Sequence, residues 1–129
     1  MKTIVIDANV MIRFLLADHP RLSPAAKSVF LKAQNGKLRI YLDEVIVAEV
    51  VWTLSSFYKI KRKDIGEKLE KLISQDWIIN PKKDLILSSL SLFVSHNLDY
   101  IDCWIYVVAK DTKLSLETFD KDLKRLKFS

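Results

Sequence analysis

Thr3-Ile4-Val5-Ile6-Asp7-Ala8-Asn9-Val10 is the stretch on which the reading of this chain turns. Apolar, mostly β-branched residues predict a buried strand over residues 2–6, ended by a carboxylate and followed at once by helix-compatible sequence. Ligands of open α/β sheets bind beyond the carboxyl ends of the strands, which is where Asp7 falls. Three further acids, Glu49, Asp102 and Asp120, are candidates for the same edge.

Outward from that strand, the pattern turns helical from Asn9 to Leu16 and is broken by Asp18-His19-Pro20. Ser23-Pro24 reads as an N-cap with proline at the first helical position, and Gly36 as a C-terminal stop, which predicts a helix over about 24–34. Leu38 to Leu42 alternates as a second strand. Asp43 then caps a helix over about 44–58, apolar almost all round and therefore expected to be central. A more amphipathic helix is expected from Arg62 to Ser74, and a third short strand over 76–80, ended by Pro81. Helices from Lys83 to Ser95 and Tyr100 to Lys110, a fourth strand over Leu114 to Phe119, and a basic helix from Lys121 to Leu126 complete the order. Strands alternating with helices imply a parallel sheet covered on both faces.

With 129 residues, half of them hydrophobic, the chain is expected to fold as one domain over 1–129. No apolar run is long enough to span a bilayer and no signal pattern opens the sequence, so a cytoplasmic, membrane-free protein is expected. The lone Cys103 excludes an internal disulfide and a cysteine zinc cage, and its apolar neighbours predict a buried, inert thiol. Two glycines, Gly36 and Gly66, leave no phosphate-binding loop, dinucleotide fingerprint or nucleophile elbow. His19 and His96 lack metal-ligand spacing and read as surface residues. The net charge of +5 is concentrated at Lys59, Lys61, Arg62 and Lys63 and at Lys121, Lys124, Arg125 and Lys127, a pattern that suits a polyanion or two solvated faces.

Singly, Asp7, Asp102 and Asp120 read as helix-cap or first-turn acids. Glu49 does not, because it lies mid-helix among Val45, Ile46, Trp52 and Thr53, and no basic residue occurs between Ile40 and Tyr58. A carboxylate buried there would need a partner, and a cation from outside the chain is the simplest one. Gathered together, four like charges would repel, and an all-oxygen donor set suits Mg²⁺ or Mn²⁺ and phosphoryl chemistry.

Taken together, Ile6-Asp7-Ala8-Asn9-Val10 with Arg13-Phe14-Leu15-Leu16 and Asp18-His19-Pro20 resembles the opening of PIN-domain ribonucleases, most closely the VapC-type toxins of toxin–antitoxin pairs. Glu49-Val50-Val51-Trp52-Thr53-Leu54 resembles their second acidic motif, Asp99-Tyr100-Ile101-Asp102 the third, and Leu116-Glu117-Thr118-Phe119-Asp120-Lys121-Asp122-Leu123 the fourth. The resemblance implies a three-layer α/β PIN-like fold, with a central parallel sheet of four or five short strands flanked by helices. It implies one or two Mg²⁺ or Mn²⁺ ions held by Asp7, Glu49, Asp102 and Asp120, with Asp99 as an extra acid and Asn9 and Thr118 orienting water or ligand. The activity implied is endoribonucleolytic, leaving 5′-phosphate and 3′-hydroxyl ends, with an RNA substrate, a cognate antitoxin and a homodimer as partners. Two departures stand out: position 8 is Ala where many relatives carry Ser or Thr, and a fifth strand would be reduced to a few residues around Phe128. The competing reading is a catalytically silent PIN-like module that binds RNA or a protein. A receiver-like domain fits less well, since Asn80-Pro81 and Thr118 stand where it would need an aspartate and a lysine.

Overall fold

Strands β1 (Lys2–Val5), β2 (Leu38–Tyr41) and β3 (Ile78–Ile79) pair in parallel in the order β1-β2-β3. The structure, a computed structural model, describes residues 1–126. Helices α1 (Ala8–Leu16) and α2 (Leu22–Gln34) connect β1 to β2. The return to β3 runs through α3 (Glu44–Trp52), a π-helical turn (Thr53–Phe57) and α4 (Arg62–Ile73); α5 (Lys83–Ser95), α6 (Tyr100–Thr112) and α7 (Lys121–Arg125) follow. The register sets Val5 beside Tyr41 and Tyr41 beside Ile79. All three strands therefore deliver their carboxyl ends to one edge, where the chain continues into Asp7, Asp43 and Asn80.

Burial follows from this arrangement. A parallel strand covered on both faces must be apolar throughout its paired length, and Ile40 and Ile78 are fully buried in one core with Phe30, Met11, Leu54, Ile65 and Leu90. Gly36, at a φ of 79°, ends α2 as expected, with the Lys37 N–H reaching back to the Lys32 carbonyl. Cys103 is buried, and burial pushes its thiol up to about 11. Among the described residues no helix is long and apolar enough to cross a membrane.

Several expectations are corrected. The sheet has three strands among the described residues, not four or five. Leu114 to Phe119 forms no strand: Leu116 and Thr118 are half-buried in alternation, but no ladder joins them to the sheet, and Phe119 is fully exposed. The apolar alternation is thus satisfied by resting Leu116 on the core, while among the described residues β1 is an edge strand with Val5 71% exposed. The fifth strand expected around Phe128 lies outside the described residues. Ser23 is not the cap of α2 but a buried residue inside it. Its hydroxyl donates to the Arg13 carbonyl (2.8 Å), and the capping role falls to His19, whose Nδ1 accepts from the Leu22 N–H (2.9 Å). The long helix expected over 44–58 is α-helical only to Trp52, and α3 is not buried all round, since Val45 and Trp52 stand 70% and 66% exposed.

Helices α4 and α5 approach closely at Gly66, where an added Cβ would lie 2.0 Å from Val94 Cγ2. Gly66→Ala must push the β-branched Val94 aside, and is expected to cost about 1–3 kcal/mol in urea unfolding. Pairing it with Val94→Ala, which removes the obstructing methyl, should recover most of the loss.

Candidate functional site

The carboxyl edge of the sheet is built by helix capping. Asp7 follows β1 and caps α1, its Oδ1 accepting from the Val10 N–H at 3.0 Å. Asp43 does the same for α3, accepting from the Val45 N–H at 2.8 Å. Asp7 and Asp43 line one open depression together with Val5 and Val10. Asn9 is exposed in the first turn of α1. Asp120 caps α7 through Oδ1 and the Leu123 N–H (2.8 Å), and its own N–H donates to the Thr118 hydroxyl (3.1 Å). Capping and ligation are therefore not rival roles at Asp7 and Asp120: one carboxylate oxygen holds the helix, and Oδ2 makes no hydrogen bond among the described residues.

At the start of α6, Asp99 occupies the N-cap position without a side-chain capping bond, and Asp102 lies in the first turn. Burial pushes the Asp102 carboxyl up from its ordinary value, and the negative charges of Asp120 and Asp99 push it further. The structure thus brings three of the sequence-derived acids into one electrostatic neighbourhood. Glu49 is placed differently from expectation. At 100° per residue, Val45, Glu49 and Trp52 share one stripe of α3 while Val47, Val50 and Val51 form the buried one. Glu49 is therefore exposed, and the need for a cation inferred from its burial does not hold. Its helix packs against both α1, which Asp7 caps, and α6, which carries Asp102.

The donor set fits a hard divalent cation in kind. Asp7, Glu49, Asp99, Asp102 and Asp120 form no ion pair among the described residues, whereas Asp18, Glu44, Glu67 and Asp122 each have a Lys or Arg partner. All five offer oxygen alone, and the burial and nearby negative charge that raise Asp102 are what a bound cation would offset. In spacing, no three His, Cys, Asp or Glu side chains among the described residues stand close enough to hold a metal ion.

Sequence reasoning missed two polar anchors. Glu44 forms a 2.8 Å ion pair with Lys82 and accepts from Asn80 at 3.0 Å, joining the start of α3 to the segment after β3. The Lys82 and Asn80 hydrogen bonds hold its carboxyl down to about 2. Arg13, nearly buried, donates to Asp18 at 2.9 Å and to the Tyr58 hydroxyl, tying the end of α1 to the chain beyond the π-helical turn. Partners 38 and 45 residues apart leave no local pattern to read. Arg62, counted with a basic cluster, is withdrawn from it: the guanidinium donates to the Phe93 and Leu98 carbonyls (2.9 and 2.6 Å) and lies over the Phe93 ring.

The two shifted carboxyls titrate with opposite sign. Glu44 is lowered in the folded protein, so its contribution is full above its ordinary value and is lost as pH falls toward about 2. Asp102 is raised, so the folded state binds its proton more tightly than the unfolded chain, and ionisation at higher pH works against folding. Thermal unfolding without metal should find Asp102→Asn more stable than wild type at pH 7, with the difference vanishing in acid. Glu44→Gln should instead be less stable at pH 7 and should approach wild type near pH 2.

The chain matches the PIN domain family model over residues 4–129. It is 23% identical over 125 residues to a VapC ribonuclease of Aquifex aeolicus (strain VF5), covering 96% of this chain and 92% of that protein. No solved structure gives a significant match. The parallel sheet flanked by helices agrees with that family, and this chain belongs to the PIN-domain family.

Proposed function

We propose that this protein is a divalent-metal-dependent endoribonuclease that hydrolyses RNA phosphodiester bonds, and that it serves as the toxin of a toxin–antitoxin pair. The observation that carries this reading is a PIN-family chain whose candidate site acids form no ion pair among the described residues, with Asp102 raised by burial and by the nearby charges of Asp120 and Asp99. The VapC ribonuclease likeness supports the RNA substrate and the toxin role.

In this reading Asp7, Glu49, Asp102 and Asp120 would hold one or two Mg²⁺ or Mn²⁺ ions, and Asp99 would act on Asp102 or through water. Such an ion supplies an acidified water and Lewis-acid stabilisation of the leaving oxygen. The protein contributes positioning. Capping bonds fix the orientation of Asp7 and Asp120 and leave Oδ2 of each to the site. Thr118 holds the backbone turn on which Asp120 sits, and exposed Asn9 orients a water or a phosphate oxygen. The exposed lysines Lys59, Lys61, Lys63, Lys121 and Lys124 supply the phosphate contacts that make binding salt-sensitive. The exposed apolar residues Val45, Phe57, Ile101 and Ile105 support a homodimer and a cognate antitoxin that covers surface near the acids. The work is assigned to the cytoplasm, where RNA and such a partner meet.

Cleavage of single-stranded RNA in Mg²⁺ or Mn²⁺ tests the proposal. Activity should vanish with chelator and fall by at least about a hundredfold in Asp7→Asn and Glu49→Gln. Asn caps a helix as well as Asp does, so Asp7→Asn should keep its stability while Asp7→Ala loses about 1 kcal/mol. A wild-type protein that binds RNA but cuts none under any metal condition is the silent module instead.

A further inference from the structure

Beside Asp99 and Asp102 a cavity of about 410 Å³ opens between α3, the π-helical turn and the start of α6. Its volume is that of a small-molecule site, and its lining is divided between polar and apolar groups. Trp52 contributes an indole that is 66% exposed despite its size. Ser55 and Ser56 come from the π-helical turn, and neither hydroxyl has a hydrogen-bond partner among the described residues. A π-helical turn departs from the more stable α geometry, and such turns concentrate at functional sites. Arg62 forms a further wall, but its two carbonyl bonds and its seat on Phe93 fix it in place. It is a rigid surface rather than a mobile phosphate clamp.

The chemistry of this lining selects one kind of occupant. Asp99 and Asp102 line the cavity with Arg62, whose guanidinium is already bonded to two carbonyls, so the net charge is negative and a neutral group is favoured over an anion that arrives without a cation. A flat aromatic wall beside free hydroxyls suits a planar ring with hydrogen-bonding edges. We propose that the cavity holds one unpaired nucleobase of the RNA, stacked on Trp52 and hydrogen-bonded by Ser55 and Ser56. It thereby sets the base preference at the nucleotide adjoining the cut. This rests on the ribonuclease reading, since Asp99 and Asp102 in the lining are acids assigned there to the metal site. Single-stranded RNA is recognised by splaying bases onto aromatic side chains and reading their edges, and Trp52, Ser55 and Ser56 offer those two functions together.

The test is cleavage of a randomised single-stranded oligoribonucleotide pool with Mn²⁺, with the cut ends sequenced. Wild type should show a base preference at one position beside the cut. The double variant Ser55→Ala/Ser56→Ala should flatten that position, with cleavage at the preferred base falling to the level of the other bases. Trp52→Ala should lower kcat/KM by about ten- to a hundredfold, largely restored in Trp52→Phe, as loss of one stacked base predicts. Unchanged preference in the serine variant, or a Trp52→Ala protein altered only in oligomeric mass, overturns the proposal and leaves the ribonuclease reading intact. Should wild type cut no RNA, that reading fails, and the Trp52 indole N–H signal titrated with a 2′-O-methyl tetranucleotide decides the cavity separately. A saturable shift supports base binding, and no shift overturns it.

Discussion

Partial burial of a carboxylate that has no ion-pair partner among the described residues is the constraint that sets the acidic end of this molecule apart. Asp102 sits partly buried in the first turn of α6, and the charges of Asp120 and Asp99 add to the cost of ionising it. Elsewhere the chain neutralises its acids: Glu44 with Lys82, Asp18 with Arg13, Asp122 with Arg125. A protein with 21 Lys and Arg residues could place one beside Asp102, yet among the described residues none forms an ion pair there. The unpaired acids are a local arrangement and not a consequence of composition.

The scaffold supports this arrangement through parallel pairing and capping. Parallel register sends three strand ends to one edge, and the residues that follow enter helices through Asp7 and Asp43. Each cap fixes a carboxylate with one backbone hydrogen bond while sparing its second oxygen. Asp120 repeats the device at α7, and the Thr118 hydroxyl braces the turn that presents it. A group that stabilises a helix end is thereby also held in one orientation.

Much of this was legible in the sequence, because it rests on local signals. The first strand ending at Asp7, the Gly36 stop, the Asp43 cap and the basic last helix were each carried by a few adjacent residues. What the sequence concealed depends on partners far along the chain. Glu49 has apolar neighbours one turn away on either side, which read as burial; those neighbours, Val45 and Trp52, are themselves exposed. The alternation over Leu114 to Phe119 was real, but alternation specifies a two-faced segment and not a ladder partner. Arg62 looked like one more surface charge, and only the fold brings it to the Phe93 and Leu98 carbonyls. In the sequence Glu49 was the acid that called for a cation; in the structure Glu49 is exposed, and the acid whose carboxyl is raised is Asp102.

Calorimetric titration of the metal-free protein with Mn²⁺, repeated in buffers of different ionisation enthalpy, bears most directly on the claim that these acids take their counter-ion from outside the chain. The account predicts saturable binding to wild type. Proton release should increase as the starting pH is lowered into the range where Asp102 is partly protonated, and both binding and release should be lost in Asp102→Asn. Failure of wild type to bind Mn²⁺, or equal binding by Asp102→Asn, would contradict it.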